Sequence, residues 1–237
     1  MRYLLEASLC IAGAILVSSG AHGRSADQDP KPAQARTRAA PMDALAEAIL
    51  ALSPDAGTRG APTLAMLQAR QSPIQWRASP MRAGDSKRRV GTLAGSDVTA
   101  AKSDPIPELT FDWVGETGQP LGFDPVKAFR KKGFKVQALY CAEMASEGTN
   151  YFLVSAPGKR PGVLSVYAFD APMAISSVYW TIGYRLDGKV PTLEEAQAEA
   201  DLDVTTDCSR QTYGPVPQIS YAAAVALTQN PGRTGAR

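Results

Sequence analysis

The chain is predicted to be an α+β protein: an antiparallel sheet of about four to five strands with two helices packed on one face, preceded by a long disordered arm. Three observations lead there. Period-two apolar alternation recurs between residues 109 and 186, helices with legible caps stand before and after that stretch, and fifteen of the seventeen aromatic residues fall within 106–229. A strand, a helix, several meandering strands and a second helix, in that order, favour an antiparallel sheet with its helices set apart from the strand run.

The first residues carry a different pattern. Arg2 precedes an apolar, small-residue run from Ala7 to Val17, and Ser19-Gly20-Ala21 offers small residues at both positions a signal peptidase reads. The run is too short to span a bilayer, so residues 1–21 are expected to be a secretory signal peptide. Export to the periplasm or the extracellular space follows. Cys10 lies inside the apolar run and leaves with the leader.

Residues 22–105 contain one aromatic, Trp76, among Ala, Pro, Gly, Ser, Arg and Asp. Such a stretch buries too little apolar surface to offset the entropy of ordering. It is expected to be a largely disordered arm with two short helical patches: residues 42–52, with Leu45, Ile49 and Leu52 near one face, and residues 62–70, with Leu64 and Leu67. Both are below the length at which an isolated helix is stable in water. Residues 71–105 read as a linker with a basic spot at Lys87, Arg88 and Arg89.

The folded domain is expected at 106–229, followed by a disordered tail at 230–237. Residues 109–114 open it as a strand. A helix follows with Asp124 as N-cap, Pro125 in the first turn and Gly133 just beyond the end; Arg130, Lys131 and Lys132 sit in its last turn, where cations suit the helix dipole. The period then changes to two. In 134–144, Phe134, Val136, Ala138, Tyr140 and Ala142 face one way. Residues 150–156 and 162–169 are strands joined by Pro157-Gly158-Lys159-Arg160-Pro161, a hairpin with a basic tip. Residues 176–186 alternate most clearly, with Trp180, Ile182, Tyr184 and Leu186 opposite Tyr179, Thr181 and Arg185. Thr192 and Glu195 form a capping box for a helix reaching about residue 202. Residues 219–227 fit a strand or a helix.

With Cys10 gone, Cys141 and Cys208 remain, and an even pair in a secreted chain reads as a disulfide. It would close a loop of about 67 residues, for which chain entropy gives about 4 kcal/mol. The single histidine, His22, falls at the cleavage site. Ser-His-Asp and Cys-His catalysis and His-ligated metals are thereby excluded, and no cofactor or metal is expected. Asp201, Asp203 and Asp207 have calcium-loop spacing but lack the Gly and terminal Glu of that loop. Glu195 and Glu199 share a helix face, which solvation alone explains.

The expected function is therefore an exported, non-catalytic binding or accessory protein. The alternative is a small hydrolase or transferase using carboxylate, Lys or Tyr chemistry. Binding residues are sought at Tyr179 and Arg185, in a row on one strand face, and at Lys159 and Arg160, which suit an anion on the hairpin tip. The partner is expected to be a protein or cell-envelope surface. Nucleic acid is not expected, because the domain has 10 basic and 14 acidic residues; the arm, with 12 basic and 8 acidic, suits an anionic membrane or cell-wall polymer.

Overall fold

The computed structural model describes residues 41–77, 87–114, 124–142, 147–169, 179–200, 204–209, 213 and 215–229. In chain order these form α1 (Pro41–Leu52), α2 (Leu64–Gln68), β1 (Gln75–Trp76), β2 (Lys87–Leu93), β3 (Ser96–Ala101), β4 (Glu108–Val114), α3 (Pro125–Lys131), β5 (Lys135–Ala142), β6 (Glu147–Ser155), β7 (Gly162–Phe169), β8 (Tyr179–Arg185), α4 (Leu193–Ala200), β9 (Val204–Thr205) and α5 (Tyr221–Gln229). The strands make one nine-stranded sheet in the order β1-β2-β3-β4-β8-β7-β6-β5-β9. Every pairing is antiparallel. The α+β class with an antiparallel sheet is as expected, but four to five strands and two helices understate it.

The larger correction concerns the arm. Residues 41–77 and 87–105 are built into the fold rather than strung before it. Helix α1 buries Leu45, Ile49 and Leu52 completely, and α2 does the same with Leu67. Each such side chain is worth about 1.5–3 kcal/mol of burial, which supplies what a twelve-residue helix lacks in isolation. Polar contacts then fix α1 in place. Arg70 donates to the carbonyls of Leu52 and Ser53 at 2.8 and 2.7 Å, satisfying groups that a helix end leaves open. Ser53 shares a 2.7 Å hydrogen bond with Tyr184 of β8, and Lys131 at the end of α3 and Lys132, its C-cap, reach Asp43 and Glu47 at 2.8 and 2.9 Å.

The expected linker supplies β2 and β3. Their two-residue turn, Ala94-Gly95, has φ of 47° and 91°, the doubly positive geometry whose twist matches a hairpin. Val98 and Ala100 face inward from β3, while Arg89 pairs with Asp97 on the other side. Lys87, Arg88 and Arg89 are thus strand residues, not a free basic spot.

Helices cover both faces, not one. Inward residues Phe111, Phe152, Leu164 and Ile182 pack with α1, α2 and α3. Their strand neighbours Tyr151, Leu153 and Val163 face the opposite way and pack with Ala196 and Ala200 of α4 and Ala224 of α5. Alternation along each strand produces this division. A bulge between Ala138 and Tyr140 changes the phase of β5. Val136, Ala138 and Cys141 therefore face the first core, while Leu139 and Tyr140 face the second, against the single apolar face expected for that strand. Helix α3 has the expected borders: the Asp124 carboxylate accepts the Lys127 N–H at 2.8 Å, and Gly133 has φ of 86°. Residues 219–229 resolve as a helix from Tyr221. The expected leader at 1–21, residues 22–40 of the expected arm and the expected tail at 230–237 lie outside the described residues.

Candidate functional site

The four residues sought for binding do not form one site. Lys159 bridges to Asp55 through backbone pairing and a 2.7 Å ion pair, and that contact holds the Asp55 carboxyl below its ordinary range. Arg160 is 5 % exposed; its guanidinium donates to the carbonyls of Thr58, at 3.0 Å, and Leu186. The basic hairpin tip is therefore a clamp on the segment following α1, with its charges engaged inside the molecule. This corrects its reading as an anion grip.

Arg185 and Tyr179 stand at opposite ends of β8, about 20 Å apart at about 3.3 Å per residue. The backbone of Tyr179 opposes Val114 and Phe169; its side chain lies outside the description. Arg185 is largely covered and ion-paired with Glu199 of α4. Around it gathers a polar seam. Glu108 of β4 lies directly opposite, and its carboxyl is held above the ordinary range by burial, against the pull of Arg185 and Lys87. Glu108 and Ser165 both close over Gly183, where a Cβ would have no room. The buried Tyr151 hydroxyl lies 3.3 Å from the Ala196 carbonyl and 3.4 Å from the Glu199 carboxylate; burial pushes its pKa up. Beyond the seam, β2, β3, β4 and β8 present a polar face in which Thr181 donates to Asp112 at 2.8 Å and Lys87 to Thr110 at 3.0 Å.

A cleft of about 440 Å³ opens elsewhere, at the outer edge of β5. Its floor is Leu139 and Tyr140, placed on this side by the bulge. Thr192 and Leu193 at the start of α4 form one wall; Thr206 and residues 218–221 at the start of α5 form the other. The capping box is reciprocal: Thr192 Oγ1 accepts the Glu195 N–H at 3.1 Å, and the Glu195 carboxylate accepts the Thr192 N–H at 2.9 Å. Those bonds hold the Glu195 carboxyl below its ordinary range. Ser220 Oγ caps α5 by accepting from Ala223 at 3.3 Å.

The outer wall is tied down at three points. The Ala138 N–H donates to the Pro217 carbonyl at 2.9 Å, and the Ile219 N–H donates to the Ala138 carbonyl at 2.8 Å. The Gln218 amide donates to the Thr206 carbonyl. Strand β9 pairs with Cys141 and Ala142, and a Cys141–Cys208 disulfide with Cα atoms 5.2 Å apart lies beside it. That separation falls in the ordinary range for a bridge.

Sequence reasoning missed this cleft because its lining comes from four separated stretches. The legible signals were the Thr192 capping box and the cysteine pair, and neither pointed at a cavity. Among the described residues no group of three or more His, Cys, Asp or Glu side chains converges as metal ligands. Asp201 and Asp203 lie outside the description, while Asp207 accepts the Ser209 N–H at 2.9 Å in a local turn. No family model, no curated protein and no solved structure matches this chain.

Proposed function

We propose that the protein is an exported, non-catalytic binding or accessory protein, working in the periplasm or outside the cell. The observation that carries this reading is the make-up of the cleft. Among the described residues its lining contains no carboxylate, amine, guanidinium, thiol or imidazole, so its serine, threonine and tyrosine hydroxyls have no base or charged partner there to activate them. Export is supported by the leader-like residues 1–21 and by a cysteine pair bonded as suits an oxidising compartment. No described helix is long and apolar enough to cross a membrane.

Native mass spectrometry of the protein from its own host tests both parts. The chain is expected to begin at His22 or within a few residues of it, and to carry a dissociable adduct that disappears on denaturation. Retained Met1 overturns export; a bare chain with turnover of its own overturns binding.

A second reading, carboxylate chemistry in a small hydrolase or transferase, draws on Glu108. A carboxyl whose pKa burial raises, beside Ser165 and Arg185, is the chemical type of a general acid. It lies outside the cleft lining, which is why binding is preferred.

A further inference from the structure

Resting on the binding reading, we infer that the cleft between the starts of α4 and α5 takes an uncharged molecule with an apolar, ring-sized body and a hydrogen-bond acceptor. Volume sets the first limit. About 440 Å³ lies in the lower part of the roughly 300–1,000 Å³ range of small-ligand sites, which suits a compact two-ring molecule.

Charge sets the second. No described lining residue is a cation, so a buried anion would have no partner among them to offset its lost hydration. No described lining residue is a carboxylate either, and Glu195, one turn into α4, accepts the Thr192 N–H and lies 3.7 Å from Lys189. A buried cation would likewise lack a charged partner in that lining. An uncharged ligand meets neither penalty.

Hydrogen bonding sets the third. Thr192 and Ser220 hydroxyls spend lone pairs accepting from Glu195 and Ala223. A hydroxyl that accepts can still donate, so both keep an O–H hydrogen for the cleft. The Tyr140 hydroxyl donates its own hydrogen to the Pro191 carbonyl at 3.2 Å. Donors thus stand on both walls, at Thr192 and at Ser220, and a ligand carbonyl or ether oxygen satisfies either of them. Leu139, Leu193 and Ile219 supply the apolar surface, and Tyr221, 42 % exposed, offers a ring face at the rim.

The test uses the full mature chain and two fluorescent probes. Prodan is a neutral naphthalene with a carbonyl acceptor; 5-dimethylaminonaphthalene-1-sulfonate is a fluorescent naphthalene of similar size and anionic. Prodan is expected to bind one to one with a blue-shifted emission, and the anion about tenfold more weakly or less. Thr206→Trp, at an exposed position of the wall, should block Prodan while far-ultraviolet circular dichroism stays that of the parent. Tyr221→Ala should weaken it about threefold to tenfold. No Prodan binding, binding untouched by both variants, or an anion bound as tightly as Prodan would each overturn the assignment. A native adduct in a protein that ignores Prodan sinks this ligand class and leaves the binding reading standing.

Discussion

The two faces of the sheet are built on different principles. One is packed by α1, α2 and α3 around large side chains, among them Phe111, Phe129, Phe152, Leu45 and Ile49. The other is partly covered by α4 and α5, whose buried contacts are largely alanines, and it is fastened by tyrosine hydroxyls and a capping box. Burial scales with apolar area, so stability concentrates on the first face. The second spends fewer contacts on stability and keeps the cleft. Separating the two lets a site vary without disturbing the layer that holds the fold.

The sharpest way to break this comparison is to remove apolar mass from the first face at the residue least suspected of belonging to it. Leu45 lies in α1, within the stretch whose composition reads as an arm, and it is fully buried. Leu45→Ala is expected to cost about 3–5 kcal/mol in urea unfolding, the range for a buried leucine whose cavity does not collapse. A change near zero would return α1 to the status of a transient helix.

Next in size is the bridge. Replacing Cys141 and Cys208 together by Ser frees a 67-residue loop, for which chain entropy predicts a loss of about 4 kcal/mol. The damage should be uneven. Hydrogen exchange is expected to rise first in β9 and in residues 215–220, the cleft's outer wall, while α1 and β4 stay protected until global unfolding. Uniform loss of protection would show that the bridge, which belongs to the first core, holds the whole fold and not only this edge of it.

These contrasts explain what the sequence made legible. Helix α3 announced itself through Asp124, Pro125 and Gly133 because caps are local chemistry. Strands β4 to β8 showed because each alternates between two unlike surroundings. Helix α1 showed as a helical patch at 42–52, but its place in the fold was hidden because its stability comes from α3 and β8, distant in the chain. Strands β2 and β3 were hidden because Ala94-Gly95 makes its turn without the Asn or Asp that usually marks one. The bulge in β5 was invisible for a related reason: an apolar run such as Ala138-Leu139-Tyr140 carries no sign of where its phase slips. The binding residues fared worst. Lys159 and Arg160 were read as free because their partners, Asp55, Thr58 and Leu186, are far off in sequence.

The smallest effect expected is at Glu108, on the seam beside α4, and its sign depends on pH. Burial raises the Glu108 carboxyl above its ordinary range, while the charges of Arg185 and Lys87 act to lower it. Because burial wins, the native state binds this proton more tightly than the unfolded chain does. Its contribution is fully present below the unfolded carboxyl range near 4.5 and is lost as pH rises through the folded value. Glu108→Gln has no such proton to lose. Measured against the parent, the variant should therefore gain stability between acid and neutral pH, read as a shrinking or reversing difference in urea midpoint. A difference moving the other way would mean that Arg185 and Lys87, not burial, govern the group. The same variant addresses the catalytic reading: a general acid at this place requires turnover that Gln abolishes, whereas a binding protein shows no turnover in either form and keeps Prodan in a cleft that Glu108 does not line.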